Sequence, residues 1–386
     1  MARLIVIIPL VLLLAWKVLS WWAKAKSARV EKLRGEVRHR TEERRAELER
    51  ELSTKHGLVP REELVVVRTP EVPGLDAALA AATAGDWRPA ADLLAAAAGD
   101  HDLRTRLVGP LGENAAEDDA WLKAWRTERP DDPDAAVVTV EALVQLAWNI
   151  RSSRQASEVS QEQFQAFHRV LGEAEQAAKE AERLAAADDP LPFYVQQPIA
   201  MGLGWENARY VALWAELTAR DPLHVGGHLR ALQYWCAKWH GSHELMHAFA
   251  DAAVAGAPVG SLMTLVKLQA WDEQFRGVED RRAAYGAPEV LASVEAAEAD
   301  LAAAEADLAA AEADPAAAEA MAPRIRGLHG WLAQFHTRAG RGAEAMPHFR
   351  ALGPYVPGPW TSYGDPVHVI QLDRVTAAAQ LAGATD

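Results

Sequence analysis

Only one stretch of this chain, Leu64 to Thr69 (LVVVRT), has the β-branched run of a strand, and Pro70 stops it. The rest is dominated by residues that favour helices, Ala above all. That imbalance excludes sandwiches, barrels and doubly wound sheets, which all need several apolar strands. The expected fold class is all-α. With 386 residues, half of them apolar, there is room for two or three domains or one elongated array.

The chain divides by composition. Leu4 to Trp22 (LIVIIPLVLLLAWKVLSWW) is apolar except for Lys17, and its length is near the ~20 residues that span a hydrocarbon core. Trp16, Trp21 and Trp22 sit where an interfacial belt would lie. Residues 1–23 are therefore expected to be a transmembrane anchor with the lipid bilayer as partner. The alternative is a signal peptide cleaved near Ala23-Lys24-Ala25, giving an exported protein. Lys and Arg crowd in just after the run, which would place a single-pass protein in the cell membrane with its C-terminal domain cytoplasmic. Residues 24–56 follow as a charged helical stalk. Its apolar spacing at Val30, Leu33 and Val37 fails at Arg40 and Arg44, so a coiled coil is not sustained. Gly57 and Pro60 end the stalk, and residues 57–73 read as a linker into a helical domain over 74–386.

The formal net charge is −14, and the basic excess lies in the stalk, which leaves the body acidic. An acidic body is a poor partner for phosphates, so nucleic acid is not expected. A single cysteine, Cys236, excludes an internal disulfide and a thiolate-rich zinc site.

Within 74–386 the pattern is one of paired helices. Leu79 to Leu94 turns at Gly85-Asp86-Trp87, with Ala90 and Leu94 four apart on the returning helix. Trp331 to Leu352 turns at Gly340, with Leu332, Ala333 and His336 before it and Ala345 and Phe349 after it. This resembles the tetratricopeptide repeat, which pairs a small residue at the helix contact with an Ala and an aromatic on the second helix. The region around Gly241 fits loosely, and the repeat period is not sustained. The segment Lys238-Trp239-His240-Gly241-Ser242 is also similar to helical bacterial proteins of uncharacterised function. The repeat resemblance implies an α-solenoid of antiparallel helix pairs that binds proteins or peptides, a scaffold or adaptor rather than an enzyme.

Further signals are local. Trp125 and Asp132-Pro133 are echoed by Trp214 and Asp221-Pro222 at the same spacing. Each Asp-Pro, like Asp365-Pro366, is expected to open a helix. A helix is expected from Asp221-Pro222 to about Trp239, with a turn at Gly241. Ser160 and Gln163 form a capping-box pair. Residues 298–320 (EADLAAA, EADLAAA, EADPAAA, EA) read as a solvated acidic helix of low complexity.

One motif carries chemistry. His243-Glu244-Leu245-Met246-His247 matches the H-E-x-x-H pattern of zinc peptidases, in which the two imidazoles hold zinc and Glu244 is the general base. The alternative function is thus a zinc-dependent metallohydrolase, with Glu273, Asp251 or Asp272 as third ligand. No substrate-aligning strand accompanies the motif. The same residues also read as an ordinary helix start, with Ser242 as cap, Leu245, Met246 and Phe249 inward, and His243 and His247 outward. On that reading the chain has no cofactor. His224, His228 and His240 extend the local histidine cluster and suggest a structural metal site between helices. Trp235 and Trp239, four apart, are a candidate aromatic groove, while most of the 14 Trp are expected in the core.

Overall fold

The computed structural model describes residues 49–67, 72–151, 160–310, 315–362 and 364–383, with scattered positions from 26 to 47 and backbone alone for 315–320. Two compact units divide at Leu64 and Val65. In the first, the described residues up to His56 are helical, and Val30, Leu33 and Val37 lie exposed, as expected of a solvated stalk. Gly57 ends that helix at φ +67°, where a Cβ would be strained, and the Leu58 N–H returns to the Ser53 carbonyl.

The expected single-pass membrane localisation is corrected here. Among the described residues no helix is long and apolar enough to cross a membrane. The stretch Leu4–Trp22 on which the expectation rested lies outside the described residues.

The second unit is helical almost throughout. Its first half comprises α1 (Leu75–Thr83), α2 (Arg88–Ala96), α3 (His101–Glu117), α4 (Ala120–Glu128), α5 (Pro133–Arg151), α6 (Gln161–Leu184), α7 (Leu191–Leu203), α8 (Asn207–Arg220) and α9 (Val225–Tyr234). The second half comprises α10 (His243–Ala255), α11 (Thr264–Gln274), α12 (Arg281–Tyr285), α13 (Pro288–Ala310), α14 (Pro315–Ala339), α15 (Gly342–Ala351), α16 (Gly358–Thr361) and α17 (Pro366–Gly383). The expected strand shrinks to β1 (Val65–Val66), which pairs in parallel with β2 (Tyr355–Val356).

Local signals set most boundaries. Ser160 and Gln163 make the reciprocal capping box at the start of α6. Asp132-Pro133 opens α5, and the Trp125 indole N–H donates to Asp132 Oδ2 at 2.9 Å, which ties the preceding helix to the cap. Asp365-Pro366 opens α17 in the same way. Asp221-Pro222 does not. Asp221 accepts from the Leu223 N–H, the helix begins at Val225, and it ends at Tyr234 instead of near Trp239. His224 takes the cap position, its Nδ1 accepting from the Gly227 N–H at 2.8 Å. The echo between Trp125 and Trp214 is therefore one of spacing only, since Trp214 packs edge-on against His228 and Phe249. Both helix hairpins expected at Gly85 and Gly340 form, with Ala90, Leu94, Leu332, Ala333, Ala345 and Phe349 buried.

The core is aromatic at both ends. Trp87 stacks on Trp125 at 5.5 Å, and Trp121, Trp125 and Trp360 are among the fully buried side chains. At its centre is a buried charge. Glu141 on α5 is wholly buried, and Arg230 on α9 donates to both of its oxygens at 3.0–3.3 Å. The guanidinium lies 3.7 Å over the Tyr194 ring and also donates to the Tyr194 carbonyl at 3.2 Å. That carbonyl is free because Pro198, four residues on in α7, has no N–H to donate. Gly112 on α3 gives Glu141 its room, since a Cβ there would lie 2.6 Å from Glu141 Cγ.

The acidic repeat is only partly solvated. Asp300 is buried and accepts from the N–H groups of Gly260 (2.6 Å), Leu262 and Thr264 and from the Thr264 hydroxyl (2.7 Å). It thereby caps the start of α11 and holds Leu262 at φ +63°, a left-handed conformation unfavourable for leucine. Leu301 and Ala304 of the same stretch are also buried. Substituting Gly112 by Ala should destabilise the fold by about 1–3 kcal/mol through overpacking against Glu141, seen as a lower urea midpoint with an unchanged slope. Asp300→Ala should cost about 3 kcal/mol, because several inward N–H groups lose their acceptor together. It should also raise amide exchange around Gly260–Thr264.

Candidate functional site

The HELMH residues sit where the capped-helix reading puts them, except for Leu245 and His247. The Ser242 hydroxyl accepts from the Leu245 N–H at the start of α10. Glu244 is exposed in the first turn, and a hydrogen bond with the Ser242 side chain holds its carboxylate below the usual range. Met246 is buried, whereas Leu245 is exposed. His243 faces solvent, but His247 is half-buried, its ring tilted against Trp271 with centroids 4.2 Å apart, and hydrogen-bonded through Nε2 to Gln274 Oε1 at 2.6 Å. The three expected third ligands are all engaged elsewhere. Glu273 pairs with Lys238 and Arg276, Asp251 with Lys267, and Asp272 with Arg338.

The neighbouring histidines are individually occupied too. His240 Nε2 bonds the Met201 carbonyl at 2.9 Å. His228 Nδ1 meets the His224 carbonyl at 3.0 Å. His224 accepts at Nδ1 as a helix cap, so its Nε2 carries the proton and donates to Thr105 Oγ1 at 3.0 Å. Trp235 and Trp239 do not share a surface. The helix ends before both, Trp235 packs edge-on against Tyr210 and Tyr234, and Trp239 packs against Trp148 at 5.5 Å.

A concave feature lies along α7, α9 and α11. A cavity of about 340 Å³ is lined by Tyr194, Gln197 and Met201 of α7 and by Leu229 and Arg230 of α9. A second cavity, of about 310 Å³, continues past Asp272 of α11 to Arg276, Arg281, Tyr285, Trp331 and Arg338. Gln233 of α9 and Gln269 of α11 line both, so the two form one groove. Arg338 donates to Asp272 at 2.7 Å and to the Tyr285 hydroxyl, and burial pushes the Tyr285 phenol up, which keeps it a neutral hydrogen-bonding group. The surface thus offers arginines and side-chain amides with aromatic walls. None of these residues stands in a motif. Their signal is only that Gln197, Gln233 and Gln269 interrupt otherwise apolar stretches of successive helix pairs.

Among the described residues one set has ligand atoms close enough to hold a metal, namely Glu298, His336 and His348. The sequence signal for it was the seven-residue spacing of Glu298 and Glu305 and of His329 and His336, which puts each pair on one helix face.

No family model matches the chain, and neither does any curated protein or solved structure. The helices carry no identified repeat type.

Burial lowers the folded pKa of His224 to about 4. Above its unfolded value near 6.5 the ring is neutral in both states, so its contribution to stability is complete there. Between about pH 6.5 and 4 only the unfolded chain takes up the proton, and stability falls by up to about 1.4 kcal/mol per pH unit from this group. His224→Asn keeps a good helix cap, and thermal melts across this window should show a shallower loss than the parent.

Proposed function

We propose that the chain is a protein-interaction scaffold or adaptor, an α-solenoid of antiparallel helix pairs that binds an extended, acidic peptide segment of a partner protein. The supporting observation is that α7, α9 and α11, every second helix, contribute to one groove, with Gln233 and Gln269 in its middle. Stacked helix pairs present alternate helices to a concave face in this way. Side-chain amides both donate and accept, which suits the main chain of an extended peptide. Arg276 and Arg281 add positive charge to the groove, Arg276 sharing Glu273 with Lys238, while Arg230 and Arg338 are already paired with Glu141 and Asp272. Carboxylates are the groups such a groove attracts, and arginine pairs with them in bidentate fashion.

The zinc-hydrolase alternative has less support, since His243 and His247 have no third ligand near them among the described residues.

Fluorescence anisotropy with a labelled glutamate-rich peptide tests this reading, with a lysine-rich peptide and a single-stranded oligonucleotide as comparators. The acidic peptide should bind at least about 10-fold more tightly than either and weaken steeply with salt. Reversing Arg276 and Arg281 to Glu together should remove that preference, while Leu245→Ala on α10 should leave it intact. Equal binding of both peptides, tighter binding of the oligonucleotide, or indifference to the arginine reversal would each count against the proposal.

A further inference from the structure

Three neighbouring helices bring five potential metal-site residues together. α13 contributes Glu298 and Glu305, α14 contributes His329 and His336, and α15 contributes His348. We propose that Glu298, His336 and His348 form a binding site for one divalent first-row transition-metal ion of the zinc type, with Glu305 and His329 as its positioning shell.

The donor set comes first. One ligand atom from each of Glu298, His336 and His348 lies within 4.8 Å of the other two. Zinc bonds of about 2.0–2.2 Å place neighbouring donors roughly 3.3 Å apart, so a modest rotation of side chains closes the set around an ion. Two imidazoles and a carboxylate suit zinc and its neighbours better than calcium or magnesium, which take oxygen ligands.

The second observation is an unsatisfied atom. His336 is only 1% exposed, its Nε2 meets Glu298 Oε1 at 2.8 Å, and its Nδ1 has no hydrogen-bond partner. A buried polar nitrogen left unpaired is costly and asks for an explanation. A metal ion at this cluster supplies one, because the lone pair of the buried His336 imidazole becomes a ligand.

The third is a relay that fixes His348. Glu305 Oε1 lies 3.0 Å from His329 Nε2, and His329 Nδ1 lies 2.9 Å from His348 Nδ1. A carboxylate only accepts, so His329 carries its proton on Nε2 and presents a lone pair at Nδ1. His348 Nδ1–H then donates to that lone pair, which leaves the His348 Nε2 lone pair unprotonated. Carboxylate-to-histidine support of this kind orients metal-bound imidazoles in general. The cation beside the cluster, Arg341, is already paired with Glu344 at 3.0 Å.

Three protein donors leave a tetrahedral ion one further position, which water fills. The two heptad repeats that read as solvated filler thus place Glu298 and Glu305 one above the other, facing histidines with the same spacing on α14.

The test uses the full chain, stripped with chelator and titrated with zinc chloride against a chromophoric competitor. The parent should take up one zinc per chain, and zinc should raise its melting temperature. His348→Ala should weaken uptake at least about 100-fold, and Glu305→Ala about 10-fold through loss of the relay. Glu298→Gln keeps the side-chain shape and an acceptor for His336, so it should fold like the parent by circular dichroism yet lose the zinc-dependent rise in melting temperature. His243→Ala with His247→Ala should bind as the parent does. A parent that binds no zinc overturns the proposal. So does binding that survives in both His348→Ala and Glu298→Gln, or that disappears instead in the His243 and His247 variant.

Discussion

A wholly buried carboxylate at the centre of a helical body has to be answered, and the packing of α3, α5, α7 and α9 is arranged around that requirement. Glu141 is wholly out of reach of bulk solvent, and Arg230 reaches it from α9. To do so the guanidinium crosses the face of α7, lying over Tyr194 and donating to the one carbonyl that Pro198 has released from the helix ladder. Gly112 completes the arrangement by letting α3 approach the glutamate. A buried pair of this sort adds little net stability over an apolar one, but losing either member costs several kcal/mol. The four helices are therefore held in one relative arrangement, and Arg230, fixed in place by Glu141, also lines the groove.

The same logic recurs in the second half with a different chemistry. Asp300 satisfies four donors at the loop into α11 and holds Leu262 in a conformation it would otherwise avoid. One helical turn and a half further along α13, Glu305 faces His329, and on the other side of Asp300, Glu298 faces His336. The simplest stretch of sequence in the chain thus carries several polar links to its neighbours. A low-complexity repeat places identical residues at identical spacing, and neighbours on α11 and α14 decide which carboxylates are buried and which stay wet.

The proposed function rests on polar groups left facing a shared space. The groove owes its character to side chains that do nothing for the core: Gln233, Gln269, Arg276 and Arg281. The HELMH stretch shows the converse. Correct spacing put two imidazoles on one helix, yet Gln274 and Trp271 engage His247, while Lys238, Lys267 and Arg338 engage the carboxylates expected as third ligands. Spacing along one helix does not by itself make a metal centre, because the remaining ligands are set by the fold.

What the sequence alone determined is everything that depends on nearest neighbours along the chain. The helical class follows from Ala and the lack of β-branched runs. The caps at Ser160, Ser242 and Asp132, and the hairpin turns at Gly85 and Gly340, follow from side chains bonding to backbone within a few residues, so a linear reading suffices. The start of α9 escaped that reading because His224, unlike Asp221, had Thr105 of α3 to fix its tautomer as a cap. Only the tertiary structure decided that Arg230 meets Glu141, that Asp300 is buried, that Trp235 and Trp239 part company, and that Glu298, His336 and His348 converge. Each of these joins helices distant in sequence, where the outcome depends on which faces pack together, and in a chain this rich in alanine many helix faces look alike until they are packed.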